Sequence, residues 1–314
     1  IDASCVSGPG SGSWTRLVTL LPHLVSLSPF DYSIVIQPHH VQSLPEVPGL
    51  KVVPLAEKLV SRNRRLISAL KVQQVLRSEH YDAIHFETLP LYVPRRSLSI
   101  LTFHDLRAFH TLSPSSLLKR AVSRFTARQV SHIVTVSEFS KREIMRFTHT
   151  PSEKVSVVGN PIPELANSST APPYQSRKPY VLALGHLEKR KNLQVLIDAV
   201  SHQVWPNHLQ LLLAGEDRGD LARLKARVGS LNLSKQVEFL GQVSEQSKAQ
   251  LLLNAALVAV PSTYEGFGIV PLEASIAGKP VLVAQTSGIQ EVVGHETALV
   301  DPHDPVAWAQ RVSQ

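Results

Sequence analysis

The sequence predicts two doubly wound α/β domains in tandem, each a parallel sheet covered by helices. Three observations carry this. Short β-rich runs, apolar from end to end, recur through the 314 residues and close on Gly, Ser, Asn or Asp, as strands buried on both faces should. Stretches with helical spacing, such as "KRKNLQVLIDAVS" and "GDLARLKARVGSL", separate them. One stretch, "ELANSSTAPPYQSRKP" at 164–179, has no apolar period and is rich in Ser, Ala and Pro, which marks a linker. The domains therefore read as 1–165 and 180–314, with the linker at 166–179.

In chain order, a first strand ends before the glycine loop "VSGPGSGSW" (6–14). The runs "YSIVIQP" (32–38), "YDAIHF" (81–86), "LSILTFHD" (98–105), "SHIVTVS" (131–137) and "KVSVVGN" (154–160) follow as strands. An amphipathic helix is expected over 58–78. Past the linker, "YVLALG" (180–185), "LQLLLAGE" (209–216), "QVEFLG" (236–241), "ALVAVPS" (256–262) and "KPVLVA" (279–284) repeat the pattern. In "TYEGFGIVPLEASIAGKPV" a loop over 265–268 leads into a helix from about Ile269 to Ala277. Pro271 suits the first helical turn, Gly278 the stop, and Pro280 the exit. Ligands in such sheets bind beyond the carboxyl ends of the strands, so residues there are the candidates.

Bulk properties narrow the class. The chain is 43% hydrophobic and 18% charged, which describes a soluble globular protein. Cys5 is the only cysteine, so no internal disulfide forms and a reducing compartment fits. The net charge of +7 lies wholly in residues 1–165, which hold 19 Lys+Arg against 12 Asp+Glu. Such asymmetry points to an anionic partner. The adjacent His39 and His40 read as surface residues rather than a metal site.

Glu265 and Glu273 bracket Gly266, Phe267 and Gly268. Glycines let backbone approach a ligand, and a helix N-terminus offers amides to an anion. A sugar diphosphate has the matching parts. Alone, the pair reads equally well as a loop carboxylate and a helix-dipole residue. Lys189, Arg190 and Lys191, just after the strand at 180–185, tip the balance, because cations there can neutralise a pyrophosphate. "TFHDL" (102–106) places His104 and Asp105 at another strand end. The loop at 6–14 has Gly8, Gly10 and Gly12, a poor match to a dinucleotide fingerprint.

Together, "SGPGSGSWTRLVTLLPHL", "TFHDL", "TVSEFSKREIMRF", "KVSVVGNPI", "GHLEKRKNL", "LLLAGE", "VEFLGQVS" and "STYEGFGIVPLEASIAGKPVLVA" resemble the retaining glycosyltransferases of family 4, mannosyltransferases among them. The last stretch carries that family's E-x7-E signature intact. The resemblance implies a GT-B fold, two Rossmann-like domains facing a cleft. It implies transfer of a hexose from a nucleotide diphosphate sugar, of GDP-mannose or UDP-glucose type, to a glycan or lipid-linked acceptor. No metal, no cofactor and no nucleic acid are expected. By the same resemblance, Arg190 and Lys191 hold the diphosphate. Glu265, with Gly266, Phe267 and Gly268, meets the donor sugar, and the amides of Ile269 and Val270 meet the distal phosphate. Glu273 takes the ribose, Gly241 to Val243 line the base pocket, His104 reaches the transferring sugar, and Gly10 and Gly12 shape an acceptor-side loop.

The sequence departs from the family where His186 stands at a position often arginine, and where "GNPI" replaces an Asn-Gly ending. The family continues past Gln314 with helices that cross back to the first domain, so a truncated C-terminus is expected. The helix at 58–78 reads either as an ordinary amphipathic helix packed on the sheet with a solvated basic face or, with Arg95 and Arg96, as a face for an anionic membrane or a phosphate-bearing lipid-linked acceptor at the cytoplasmic face. A sugar-nucleotide epimerase of the same fold and a non-catalytic binding protein remain as alternatives. A dehydrogenase fits less well, because the first glycine loop is wrong for it.

Overall fold

The computed structural model describes residues 1–9, 11–55, 64–111, 113–162, 178–293 and 298–314. The chain divides into two units, Ile1–Pro161 and Ile162–Gln314. The expected linker at 166–179 lies outside the described residues except for its last two, as do Gly10 and the first part of the helix expected at 58–78.

The first unit holds strands β1 (Tyr32–Ile36), β2 (Leu50–Pro54), β3 (Ala83–Phe86), β4 (Leu98–Phe103), β5 (His132–Thr135) and β6 (Val155–Val157). All pair in parallel, β1 with β2 and β3 through β6 in chain order. Residues 1–3 join the two groups. The Ala3 amide donates to Val35 O at 2.9 Å, and the Asp2 amide to His85 O at 2.7 Å. The Glu87 amide returns a bond to Asp2 O at 3.0 Å. The helices are α1 (Gly12–Leu27), α2 (Arg64–Ser78), α3 (Pro114–Gln129) and α4 (Glu138–Thr148). Ser11, Ser113 and Ser137 cap α1, α3 and α4 through their hydroxyls. Apolar residues of β3–β5 pack with Leu106, Phe109 and Ile144 in one core.

The second unit has strands β7 (Tyr180–Leu184), β8 (Gln210–Ala214), β9 (Val237–Gly241), β10 (Leu257–Val260), β11 (Val281–Ala284) and β12 (Ala298–Val300). They form one parallel sheet in the order β12-β11-β10-β7-β8-β9. The chain winds outward from β7 to β9, returns to the other side of β7, and winds outward again. The direction therefore reverses between β7 and β10, and such a switch point opens a crevice at the carboxyl ends. Helices α5 (Leu193–Val200), α6 (Leu221–Ser230), α7 (Glu245–Asn254), α8 (Ile269–Ile276) and α9 (Pro305–Ser313) cover it. Val181 and Ala183 face one core while Tyr180, Leu182 and Leu184 face the other, since alternate residues point to opposite faces. This is why the strand reads as unbroken apolar sequence. β2, β12 and α9 have no counterpart in the sequence reading.

Among the described residues no helix is long and apolar enough to cross a membrane. One expectation is corrected. His39 is exposed, but His40 is buried. Its ring lies 5.2 Å from that of Trp14 and fills the space a side chain at Gly8 would need.

Candidate active site

The switch point of the second unit gathers a cluster of charged side chains. After β7 the chain passes through residues 185–188, which are zipped to the loop after β8. The Leu187 amide donates to Glu216 O at 2.8 Å, and the Arg218 amide to Leu187 O at 3.0 Å. A single 3-10 turn, Lys189–Lys191, follows before α5. The loop after β10 is latched to this turn, because the Thr263 amide donates to Arg190 O at 2.8 Å. Both basic side chains converge on Glu265. Lys191 Nζ lies 2.6 Å from one carboxylate oxygen, and an Arg190 guanidinium nitrogen lies 2.9 Å from the other. Ser262 Oγ donates to the same carboxylate at 2.9 Å. Arg190 also pairs with Glu188 at 2.7 Å and donates to Tyr264 O at 3.0 Å. Burial would raise the Glu265 carboxyl, but Lys191 and then Arg190 outweigh it and hold it down at about 2. The cluster brings two basic side chains, Arg190 and Lys191, against two acidic ones, Glu188 and Glu265. Burial, reinforced by Arg218, pushes His186 below its ordinary range, so this imidazole is neutral there and adds no charge.

Gly268 caps α8 with φ of 107°, a backbone that disfavours other residues, and as a glycine it offers the helix amides no side-chain cap. The amides of Ile269 and Val270 thus begin a helix directly after Glu265, Gly266 and Phe267, an arrangement suited to an anion. The helix ends at Ile276, with Gly278 left-handed at φ of 66°, as the start and stop signals require.

Glu273 sits one turn further on, and its surroundings differ. Its side chain is 6% exposed and lies 2.9 Å from Lys248 Nζ on α7. Lys248 also meets Glu245 at 2.6 Å. Burial raises the Glu273 carboxyl despite Lys248. Gly241 closes β9 with φ of 69° and accepts from the Gly215 amide at 2.7 Å. Val243 packs on the core beneath. Arg190, Lys191 and Glu265 are therefore in mutual contact, whereas Glu273 belongs to a separate ion-pair group.

In the first unit, Gly12 is the first residue of α1 rather than part of a loop. Gly8, earlier in the same stretch, has a positive φ of 76°. His104 follows β4 with its side chain 25% exposed. Its neighbour Asp105 turns to Arg107, at 2.8 Å. His104 Nε2 lies 3.2 Å from the backbone oxygen of Glu87 and 3.7 Å from its carboxylate. Sequence reasoning missed Glu87, Glu188, Ser262 and Lys248. Only Glu188 had a local signal, as an acid inside a basic run.

Two Rossmann-like units, one with a cation and carboxylate cluster at its switch point, define the class of GT-B glycosyltransferases. The structure of Anabaena Alr3699/HepE in complex with UDP and glucose superposes with a TM-score of 0.72 over 97% of this chain and 86% of that one, at 20% identity. The Salmonella typhimurium O-antigen chain mannosyltransferase RfbU is 26% identical over 99% of this chain and 89% of its own length. An Escherichia coli O-antigen chain mannosyltransferase B is 26% identical over 88% and 80%. The family model for Glycosyltransferase Family 4 matches residues 11–164, and that for Glycosyl transferases group 1 matches residues 167–314. The chain belongs to glycosyltransferase family 4, group 1, and is a hexosyl-transferring enzyme.

Proposed function

We propose that the chain moves a hexose from a nucleotide diphosphate sugar to a glycan or lipid-linked acceptor, with retention of anomeric configuration and without a metal. The observation that carries this reading is the contact of Lys191 and Arg190 with Glu265 beside the first amides of α8. Relatives named mannosyltransferases favour a mannosyl donor of GDP-mannose type over one of UDP-glucose type. Lys191 and Arg190 share their charge between Glu265 and the incoming diphosphate. The amides of Ile269 and Val270 take the distal phosphate. Glu265 and the glycine loop orient the sugar, Glu273 takes the ribose hydroxyls, and Gly241 and Val243 border the base.

The leaving diphosphate departs with the electrons of the broken sugar–oxygen bond as the acceptor hydroxyl attacks the same face of the sugar and passes its proton to the departing phosphate oxygen. The protein's part is to stabilise that departing charge and to hold the sugar in place. A nucleotide-release screen of GDP-mannose, UDP-glucose and related donors, with and without a chelator, tests the reading. Release from no donor overturns it, and loss of release on chelation overturns its metal-free part.

The acceptor side is proposed to work against an anionic membrane at the cytoplasmic face. Arg95 and Arg96 are exposed, and so are Leu117, Leu118 and Phe125 on α3, beside exposed Lys119, Arg124 and Arg128. Each cation near such a surface contributes about 1 kcal/mol, screened by salt. Sedimentation with anionic but not neutral liposomes, weakened by salt, is the expected outcome. Equal sedimentation with both, or none with either, overturns this part.

A further inference from the structure

Glu87 lies at the carboxyl end of β3, its amide bonded into residues 1–3. Its side chain is 3% exposed. One carboxylate oxygen is 3.6 Å from His85 Nε2, and the other, Oε2, is 3.7 Å from His104 Nε2. Both separations allow ion pairing but exceed a hydrogen bond. Oε2 accepts no hydrogen bond among the described residues. A buried polar atom left in this state calls for an explanation. Burial would raise the Glu87 carboxyl, but His104, His85 and Arg16 together hold it below the usual carboxylate range, so it stays ionised.

The two histidines differ. His85 Nε2 bonds Thr102 Oγ1 at 2.7 Å, and burial pushes His85 down. His85 is therefore a neutral packing partner on the strand. Both side chains are partly exposed to a similar extent, 21% for His85 and 25% for His104, but His104 Nε2 faces Glu87 twice, through the backbone oxygen and through the carboxylate. An acceptor pair at Nε2 requires a proton on that nitrogen. In the neutral ring, Nδ1 then carries the lone pair.

We propose that Glu87 is a positioning residue that fixes His104 as the Nε2–H tautomer and leaves Nδ1 to accept a hydrogen bond from a hydroxyl of the transferring sugar. This rests on the reading that His104 meets the donor sugar. The logic is that of an acid behind an imidazole: the buried carboxylate sets the ring's orientation and tautomer without touching the ligand. The competing account is that Glu87 only balances buried Arg16, whose Nε also has no hydrogen-bond partner among the described residues. In that case its loss would change stability and leave the ring of His104 as it was.

The test combines nitrogen-15 spectroscopy of histidine-labelled protein with turnover of the donor identified by the screen. In the wild type, the neutral His104 ring is expected as Nε2–H. In Glu87→Gln the Nδ1–H fraction rises, and kcat falls about 10- to 100-fold, the cost of a misplaced group, with donor KM changed less than about twofold. A wild-type ring found as Nδ1–H overturns the proposal without any variant. A folded Glu87→Gln with unchanged tautomer and kcat, while His104→Ala is impaired, overturns it alone. His104→Ala with full turnover removes the underlying reading of His104 and the proposal with it.

Discussion

The carboxyl edges of the two sheets hold charge in opposite ways. In the second unit, Glu265 is gripped by Lys191, Arg190 and Ser262 at 2.6 to 2.9 Å. In the first, Glu87 stands 3.6 and 3.7 Å from its histidines with one oxygen unbonded among the described residues. A tight cluster is already close to neutral, so an arriving anion must compete for its cations. A loose one has fixed its carboxylate and left its imidazole partly exposed. The difference is between a carboxylate saturated by cations and one held loosely beside a partly exposed imidazole.

Three substitutions sharpen or break that contrast. The largest effect is expected for Glu265→Gln. Turnover should fall about 100- to 1,000-fold, as when a transition-state contact is lost, while free nucleoside diphosphate binds at least as well, because Lys191 and Arg190 are released. Calorimetry showing weaker diphosphate binding would mean that the carboxylate serves the nucleotide rather than the sugar. The same residue gives a pH signature. Its carboxyl is held at about 2 in the fold, below the unfolded value, so its contribution is complete above the ordinary carboxylate range. That contribution, roughly 3 kcal/mol, drains away as pH falls from about 5 toward 2. Acid melting curves of wild type and Glu265→Gln should therefore converge as the pH drops.

Lys191→Ala should weaken donor binding about 10- to 100-fold, since a charge-assisted contact contributes about 1.5–3 kcal/mol. It should also lower the melting temperature, because Glu265 keeps only Arg190 as a cationic partner in its buried site. Unchanged donor affinity in calorimetry would leave the basic turn a structural feature of the loop.

The smallest effect is expected for Lys248→Met. Without its partner, Glu273 titrates higher still and meets the ribose less well. Nucleoside diphosphate affinity should drop about three- to tenfold, the scale of one modest hydrogen bond, and inorganic pyrophosphate affinity should not change. Equal losses for both ligands would place Lys248 at the phosphates instead.

Much of this was legible in the sequence because local chemistry decides it. Pro271, Gly278 and Pro280 punctuate α8, and strands buried on both faces read as apolar runs. β2 escaped because only Leu50 and Val53 of "LKVVP" are even partly covered, which makes no alternation, and its register comes from β1. β12 is three residues long. The acids and bases that partner the predicted residues escaped for a different reason. Spacing puts His85 and Glu87 on one face of a strand, but only the β3–β4 pairing brings His104 beside them. Lys248 and Glu273 meet because α7 and α8 pack, which no periodicity encodes. The three glycines of the first loop looked alike in sequence. Gly12 entered the helix, and Gly8 was singled out by His40 pressing on it.

Residues 1–3 lie between β1 and β3, satisfying main-chain groups on both. Cutting the chain after Ser4 would turn one continuous sheet into two pieces with bare inner margins, each a template for a foreign strand. The expected outcome is self-association through the first unit, visible as a concentration-dependent rise in scattering, with the fold of the second unit left standing.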